Sequence, residues 1–151
     1  MTTEIEILRK NRKTILELID GFTMDQMNKI PIGFNNNLVW NIAHLIVTQQ
    51  LLCYKFSELP MKIETSMVET YVKGTKPSYL VGENEFELIK KLFIDLPEKF
   101  EIDYQNNIFK KYLHYTTSLN VELKDIESAL AFVNFHEGIH LGVILSIRKL
   151  I

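Results

Sequence analysis

Apolar residues recur at helical spacing through four stretches of the chain. Between residues 4 and 20, Ile5, Leu8, Ile15 and Leu18/Ile19 fall near one face, and Gly21 stands where a helix end favours positive φ. Residues 22–37 hold Pro31, Gly33 and Asn35-Asn36-Asn37, turn chemistry that leads to an N-cap. A second helix is predicted from Leu38 to about Ser57, followed by Pro60. It is apolar nearly all round, through Leu38, Val39, Trp40, Ile42, Leu45, Ile46, Val47, Leu51, Leu52 and Phe56. Such a helix is buried on several sides. Residues 58–82, with Pro60, Gly74, Pro77 and Gly82, read as a long connection with room for a short helical piece. A third helix spans Glu83 to Leu96 and is expected to stop before Pro97. A second long connection covers 97–124. The fourth helix starts near Asp125, whose carboxylate suits an N-terminal turn as does that of Glu127. It is expected to continue to the C-terminus, where Arg148 and Lys149 complement the helix dipole.

No segment of strand period competes with these assignments. The fold class is therefore all-α, a four-helix bundle with long crossover connections, in one domain over residues 1–151. Long crossovers allow neighbouring helices to run parallel.

Composition narrows the partners. With 17 Lys plus Arg against 19 Asp plus Glu, the formal charge is -2, and the basic residues are scattered. No electrostatic footprint for nucleic acid or an anionic membrane is present, so a small-molecule substrate is the expected partner. Cys53 is the lone cysteine, which excludes an intrachain disulfide. Met1-Thr2-Thr3-Glu4 is not the start of a secretory signal. The stretch Leu38–Tyr54, interrupted by Asn41, His44, Thr48, Gln49 and Gln50, is too polar and short for a membrane span. A cytoplasmic location is expected.

The fourth helix carries the chemistry. Its apolar stripe runs Ile126, Ala129/Leu130, Val133, then Val143/Ile144, Ile147 and Leu150/Ile151, and His136 and His140 fill the two missing steps. Four residues apart, they differ by about 40° in azimuth and about 6 Å along the axis. Two imidazoles on one helix face can bind one ion. Each would otherwise need a buried partner for both ring nitrogens. His44 is the third expected ligand, since it lies on one line with Trp40, Val47, Thr48 and Leu51 of the second helix. Bundle cores build metal sites from facing helices in this way.

Other residues are weaker candidates. Cys53 lies nine positions beyond His44, about 180° around the same helix, and reads as a small core residue. His114 belongs to the second connection, with a surface or substrate-facing role. Met24, Met27, Met61 and Met67 read as packing. His136-Glu137-Gly138-Ile139-His140 also matches H-E-x-x-H, the zinc peptidase signature. However, residues 141–151 offer no further His, Asp or Glu, and no sheet edge is expected to hold a peptide. The peptidase is a minor alternative. Gly138 is expected to allow a close helix contact or to leave room by a metal.

The run Leu38-Val39-Trp40-Asn41-Ile42-Ala43-His44-Leu45 resembles the first metal-ligand segment of DinB-like bundle proteins. The run Phe135-His136-Glu137-Gly138-Ile139-His140-Leu141-Gly142 is similar to their second signature, and Thr116-Thr117-Ser118-Leu119-Asn120-Val121 to the usual approach to the last helix. The resemblance covers essentially the whole chain. It implies a crossover four-helix bundle, commonly dimeric, with a three-His site that leaves coordination positions open. Zinc or nickel is the usual ion. It also implies relatives that are metal-dependent transferases and isomerases using low-molecular-weight thiols such as bacillithiol or mycothiol.

Three neutral imidazoles leave a divalent ion open, unlike a closed structural site. Such an ion lowers the pKa of a bound thiol or water. A thiol then gives S-transfer to an electrophile, and water gives hydrolysis. Glu137, about 60° around the helix from His140, is a candidate proton acceptor and equally a candidate outward-facing or supporting carboxylate. Thr48 is a candidate ligand-orienting hydroxyl, or one bonded to its own helix backbone. The opposing expectation is a non-catalytic bundle that binds a metal or small ligand. The apolar second helix and the apolar C-terminal end further suggest a homodimer.

Overall fold

The computed structural model describes residues 2–151. In chain order the helices are α1 (Thr3–Leu18), α2 (Met24–Asn28), α3 (Leu38–Gln49), α4 (Thr65–Tyr71), α5 (Glu83–Gln105) and α6 (Ile126–Ile147). A pair of two-residue strands, β1 (Tyr115–Thr116) and β2 (Glu122–Leu123), forms a small antiparallel ladder before α6. The fold is all-α, as the apolar periodicity predicts.

Helix starts follow capping chemistry. Asn37 accepts from Trp40 N at 2.8 Å and opens α3. Asp125 accepts from Ser128 N at 2.7 Å, inside a capping box that opens α6. Thr23 and Gln26 form a second capping box and start α2, where turn chemistry alone was expected. α3 runs on into a π-helical stretch, Gln50–Lys55, so the continuous helical segment reaches the expected end near Ser57.

The four long helices form a ring. α1 packs against α5 and α6, and α3 packs against the same two. α1 and α3 thus face one another across the bundle. Arg9 bonds Glu98 and Glu101 while Arg12 bonds Phe93 O, so α1 and α5 run antiparallel. Glu4 O meets Asn134 and Asn11 meets Glu137, so α1 and α6 run parallel. Parallel neighbours require long connections, and 56–82, which carries α4, is one.

The core divides into two apolar clusters. One holds Ile15, Leu38, Ile42, Leu45, Ile46, Phe93, Leu96, Ile144 and Ile147; the other holds Ile5, Leu8, Cys53, Tyr54, Phe100, Leu130 and Val133. Burying each such Leu, Ile or Phe side chain contributes about 1.5–3 kcal/mol. Met27 is buried, and Met24, Met61 and Met67 pack on these clusters, in keeping with a packing role.

α5 does not stop before Pro97. It continues to Gln105 with the proline inside. Proline lacks the N–H that would bond the carbonyl four residues back, here Phe93 O. Arg12 Nη1 donates to that carbonyl at 3.1 Å, so the helix loses a bond without leaving a buried acceptor unmet.

The surface argument for a dimer also changes. The apolar faces of α3 are covered within one chain, since every residue from Leu38 to Val47 is buried. The uncovered apolar face lies on α6, where Phe135 is 54% exposed, Ile139 43% and Leu145 38%. α6 is long and apolar enough to cross a membrane by length and composition. Here it packs against α1 and α3 and buries Glu137 between helices.

Candidate metal centre

The α3–α6 contact brings the three expected histidines together. Ring centroids are 5.1 Å apart for His44 and His136, 4.9 Å for His44 and His140, and 4.5 Å for His136 and His140. One nitrogen from each lies within 4.8 Å of the others. Ligands at about 2.0–2.1 Å from a tetrahedral ion sit roughly 3.4 Å apart, a modest side-chain rotation from this arrangement. The cluster could hold one divalent ion.

Each ring is set from behind. His44 Nδ1 lies 2.7 Å from Tyr71 O, a carbonyl that only accepts, so Nδ1 carries the proton and Nε2 keeps its lone pair. Trp40 stacks on the His44 ring at 4.5 Å and 10°. His140 Nδ1 lies 2.7 Å from Asn41 Oδ1. The Asn41 amide is oriented because its nitrogen donates to Asn36 Oδ1 at 2.8 Å and to Asn37 O at 2.7 Å. His140 therefore also carries its proton on Nδ1 and leaves Nε2 as a base. Metal-binding imidazoles are held in this way, by an acceptor on the far nitrogen.

His136 has no such acceptor: its Nδ1 is buried and has no hydrogen-bond partner. A buried ring nitrogen left bare is the kind of orphan that a bound ion or ligand explains. The donor set thus fits a metal, with three nitrogen bases, two of them oriented, and no carboxylate in the cluster.

The site also keeps its imidazoles neutral. Burial, then the neighbouring rings, pushes His136 down to about 3, and burial pushes His140 down to about 4, with His44 the next cause. Burial also lowers His44, partly opposed by its bond to Tyr71. Neutral rings are the ligand form. Thr48 Oγ1 lies 3.3 Å from His44 Nε2, so its hydroxyl donates to the lone pair of that ring.

Glu137 is placed elsewhere. It is 1% exposed and outside the histidine cluster. Arg12 Nε donates to its Oε1 at 2.8 Å, Arg12 Nη2 lies 2.8 Å from the same oxygen, and Asn11 Nδ2 donates to Oε2 at 3.0 Å. Burial raises its carboxyl, against the pull of Arg12 and Asn11. The expectation of a proton acceptor, and that of an outward carboxylate, give way to a buried ion pair. The same contact removes the general base from the peptidase alternative. Adjacent residues on a helix differ by about 100° in azimuth, so His136 turns to α3 while Glu137 turns to α1.

Arg12 is the residue that sequence reasoning missed. It is fully buried, reaches Leu45 O of α3 at 3.4 Å and Phe93 O of α5, and lies 4.7 Å over the Phe93 ring. With Glu137 it ties all four long helices. Its signal is present in the sequence, as the polar step in the stripe Ile5, Leu8, Arg12, Ile15, Ile19.

The remaining candidates stay out of the cluster. Cys53 is buried, and burial pushes its thiol up to about 12, which makes it an inert core residue. His114 is exposed beside β1, where its charge acts on Glu122 and Asp125. Gly138 is exposed, and a Cβ there would meet nothing within 4 Å, so it makes no close helix contact. A concavity of about 790 Å³ lies between α1 and α5 and is lined by none of the histidines.

A search among curated proteins gives no match. The model of the DinB superfamily matches residues 7–144, which includes the three clustered histidines, α3 and α5 whole and most of α1 and α6, so the chain belongs to the DinB superfamily.

Proposed function

We propose that His44, His136 and His140 bind one divalent ion, zinc or nickel, and that the protein is a metal-dependent thiol S-transferase or related hydrolase. The carrying observation is the pair of imidazoles, His44 and His140, whose Nδ1 protons are fixed by Tyr71 O and Asn41 Oδ1. This leaves their Nε2 lone pairs beside a third, unpartnered ring. When bound, such an ion lowers the pKa of a coordinated thiol or water. The chain's own residues hold it and shape the approach: Trp40 fixes the His44 ring, and Asn36 and Asn37 fix the amide that fixes His140.

Cys53 is buried and Glu137 is paired, which supports a nucleophile held by the ion rather than by either side chain. We place the chemistry in the cytoplasm, where low-molecular-weight thiols such as bacillithiol are kept reduced. A small electrophile is the second substrate.

Metal analysis of protein purified without an affinity tag is expected to give one ion per chain. His140→Ala should lose both the ion and turnover of a thiol with a panel of electrophiles, while keeping its helical circular dichroism. Turnover that survives chelation or His140→Ala would defeat the reading. One ion per chain with no turnover of thiol or water would leave a metal-binding bundle instead.

A further inference from the structure

The chain after α4 crosses directly over the histidines. Tyr71 O accepts from His44 Nδ1 at 2.7 Å, and Thr75 Oγ1 accepts from Trp40 Nε1 at 3.1 Å. Trp40 and His44 are the stacked pair of the site, so residues 71 and 75 are both anchored to it. Between them, Thr75 N donates to Val72 O at 3.1 Å and Thr75 Oγ1 donates to the same oxygen at 2.7 Å. Gly74 takes φ +92°, the left-handed geometry that the third position of a type II turn requires. Lys73 is the second residue of this turn. Two residues of chain span at most about 7 Å, so Lys73 is confined to the rim above His44 and Trp40.

Lys73 is exposed and makes no ion pair among the described residues. Its charge reaches the rings, acting on both His44 and His136. Among the described residues, no carboxylate acts on any of the three histidines. A solvated lysine on a random surface loop would have no reason to be pinned at both ends to the two rings that frame a site. A single flexible ammonium provides one point charge, which matches the single charge of a carboxylate.

We infer that Lys73 is a specificity-determining residue that receives the carboxylate of a carboxylate-bearing small ligand whose other end reaches the histidine cluster. The inference rests on the metal reading above and adds the charge class of the substrate. The turn supplies position, the Trp40–Thr75 and His44–Tyr71 bonds supply rigidity, and the ammonium supplies the charge.

The test uses the full chain loaded with cobalt(II), whose absorption reports ligands at the ion. Two probes of nearly equal size, mercaptoacetate and 2-mercaptoacetamide, differ by one negative charge. Mercaptoacetate is expected to bind the wild-type protein more tightly. In Lys73→Met the affinity for mercaptoacetate should fall about fivefold, as expected for one exposed ion pair, with that for mercaptoacetamide unchanged. Lys73→Arg should restore the difference, and salt should erase it. A substitution that weakens both probes equally, or neither, overturns the inference while leaving the cobalt site intact. Absence of a cobalt spectrum at one equivalent instead defeats the metal reading, and the Lys73 inference with it.

Discussion

Acidification of the metal-free protein is the most direct probe of the histidine cluster. In the unfolded chain a histidine titrates near 6.5. In the fold, His136 is held down to about 3 and His140 to about 4. Below pH 6.5 the unfolded chain therefore binds protons that the folded chain refuses. Stability is fully present above 6.5 and declines as pH falls toward the folded values. Between pH 7 and 5, linkage gives about 2 kcal/mol for each of these two residues, about 4 kcal/mol together. His44 adds to the loss in the same direction. That is a large share of the roughly 5–15 kcal/mol typical of a domain. Exposed carboxylates with lowered values, Glu6, Glu122 and Asp125, act at lower pH, while Glu137, whose carboxyl burial raises, opposes the histidines, so the measured slope is their net.

Urea denaturation at half-unit steps from pH 7.5 to 4.5, with chelator present, measures the effect. The midpoint should fall steadily below pH 6.5 at constant m-value. A His136→Asn/His140→Asn variant should lose most of that slope. Equimolar zinc should raise the midpoint at pH 7 and much less at pH 5, because the ion requires neutral rings. A flat wild-type profile, or a variant that keeps the full slope, would refute the claim that the cluster is buried and neutral.

Three further outcomes follow from the geometry. Arg12→Met should destabilise by about 3–5 kcal/mol, by leaving Glu137 buried and unpaired, and Arg12→Met with Glu137→Leu should recover much of it; thermal or urea unfolding of the three variants closes this cycle. Asn41→Leu should weaken zinc affinity by about 10–100-fold with little change in helical content, since it frees the His140 proton from its acceptor; competition with a chelating dye reads this. If the uncovered α6 face is closed by a second copy, sedimentation of the wild type should give a dimer and Phe135→Glu a monomer; a wild-type monomer at high concentration would count against it.

The histidines were legible because they interrupt an apolar stripe. A core-facing position occupied by an imidazole is conspicuous on α6, and a second one on α3 completes the set. Arg12 interrupts the α1 stripe in the same manner, yet a long cationic side chain at such a step ordinarily reaches water. Its burial depends on Glu137, a residue 125 positions away. Glu137 was hidden in turn by the H-E-x-x-H pattern, which attaches chemistry to a residue whose azimuth turns it to a different neighbour. Pro97 was misread for the same reason. The rule that a helix ends before proline assumes an orphaned carbonyl, and Arg12 supplies the donor from another helix. One tertiary group thus accounts for both the misplaced helix end and the burial of the Glu137 carboxylate. The α2 start was legible in principle, since Thr23 and Gln26 have capping-box spacing. The π-helical turn after α3 has no sequence signal, because all residues in it are ordinary helix formers.

The Arg12–Glu137 pair also bears on the electrostatics of the histidine site. Glu137 stands between His136 and His140 in sequence, and an unpaired carboxylate there would raise both imidazoles toward the protonated, non-binding form. Arg12 neutralises it across the α1 side, and neither His136 nor His140 feels its charge. The external charge felt by His44 and His136 is then that of Lys73, which opposes protonation. A divalent ion on three neutral rings under a cationic rim leaves the site net positive. On the proposal that the cluster binds a divalent ion, an anionic ligand is the kind that such a site would attract.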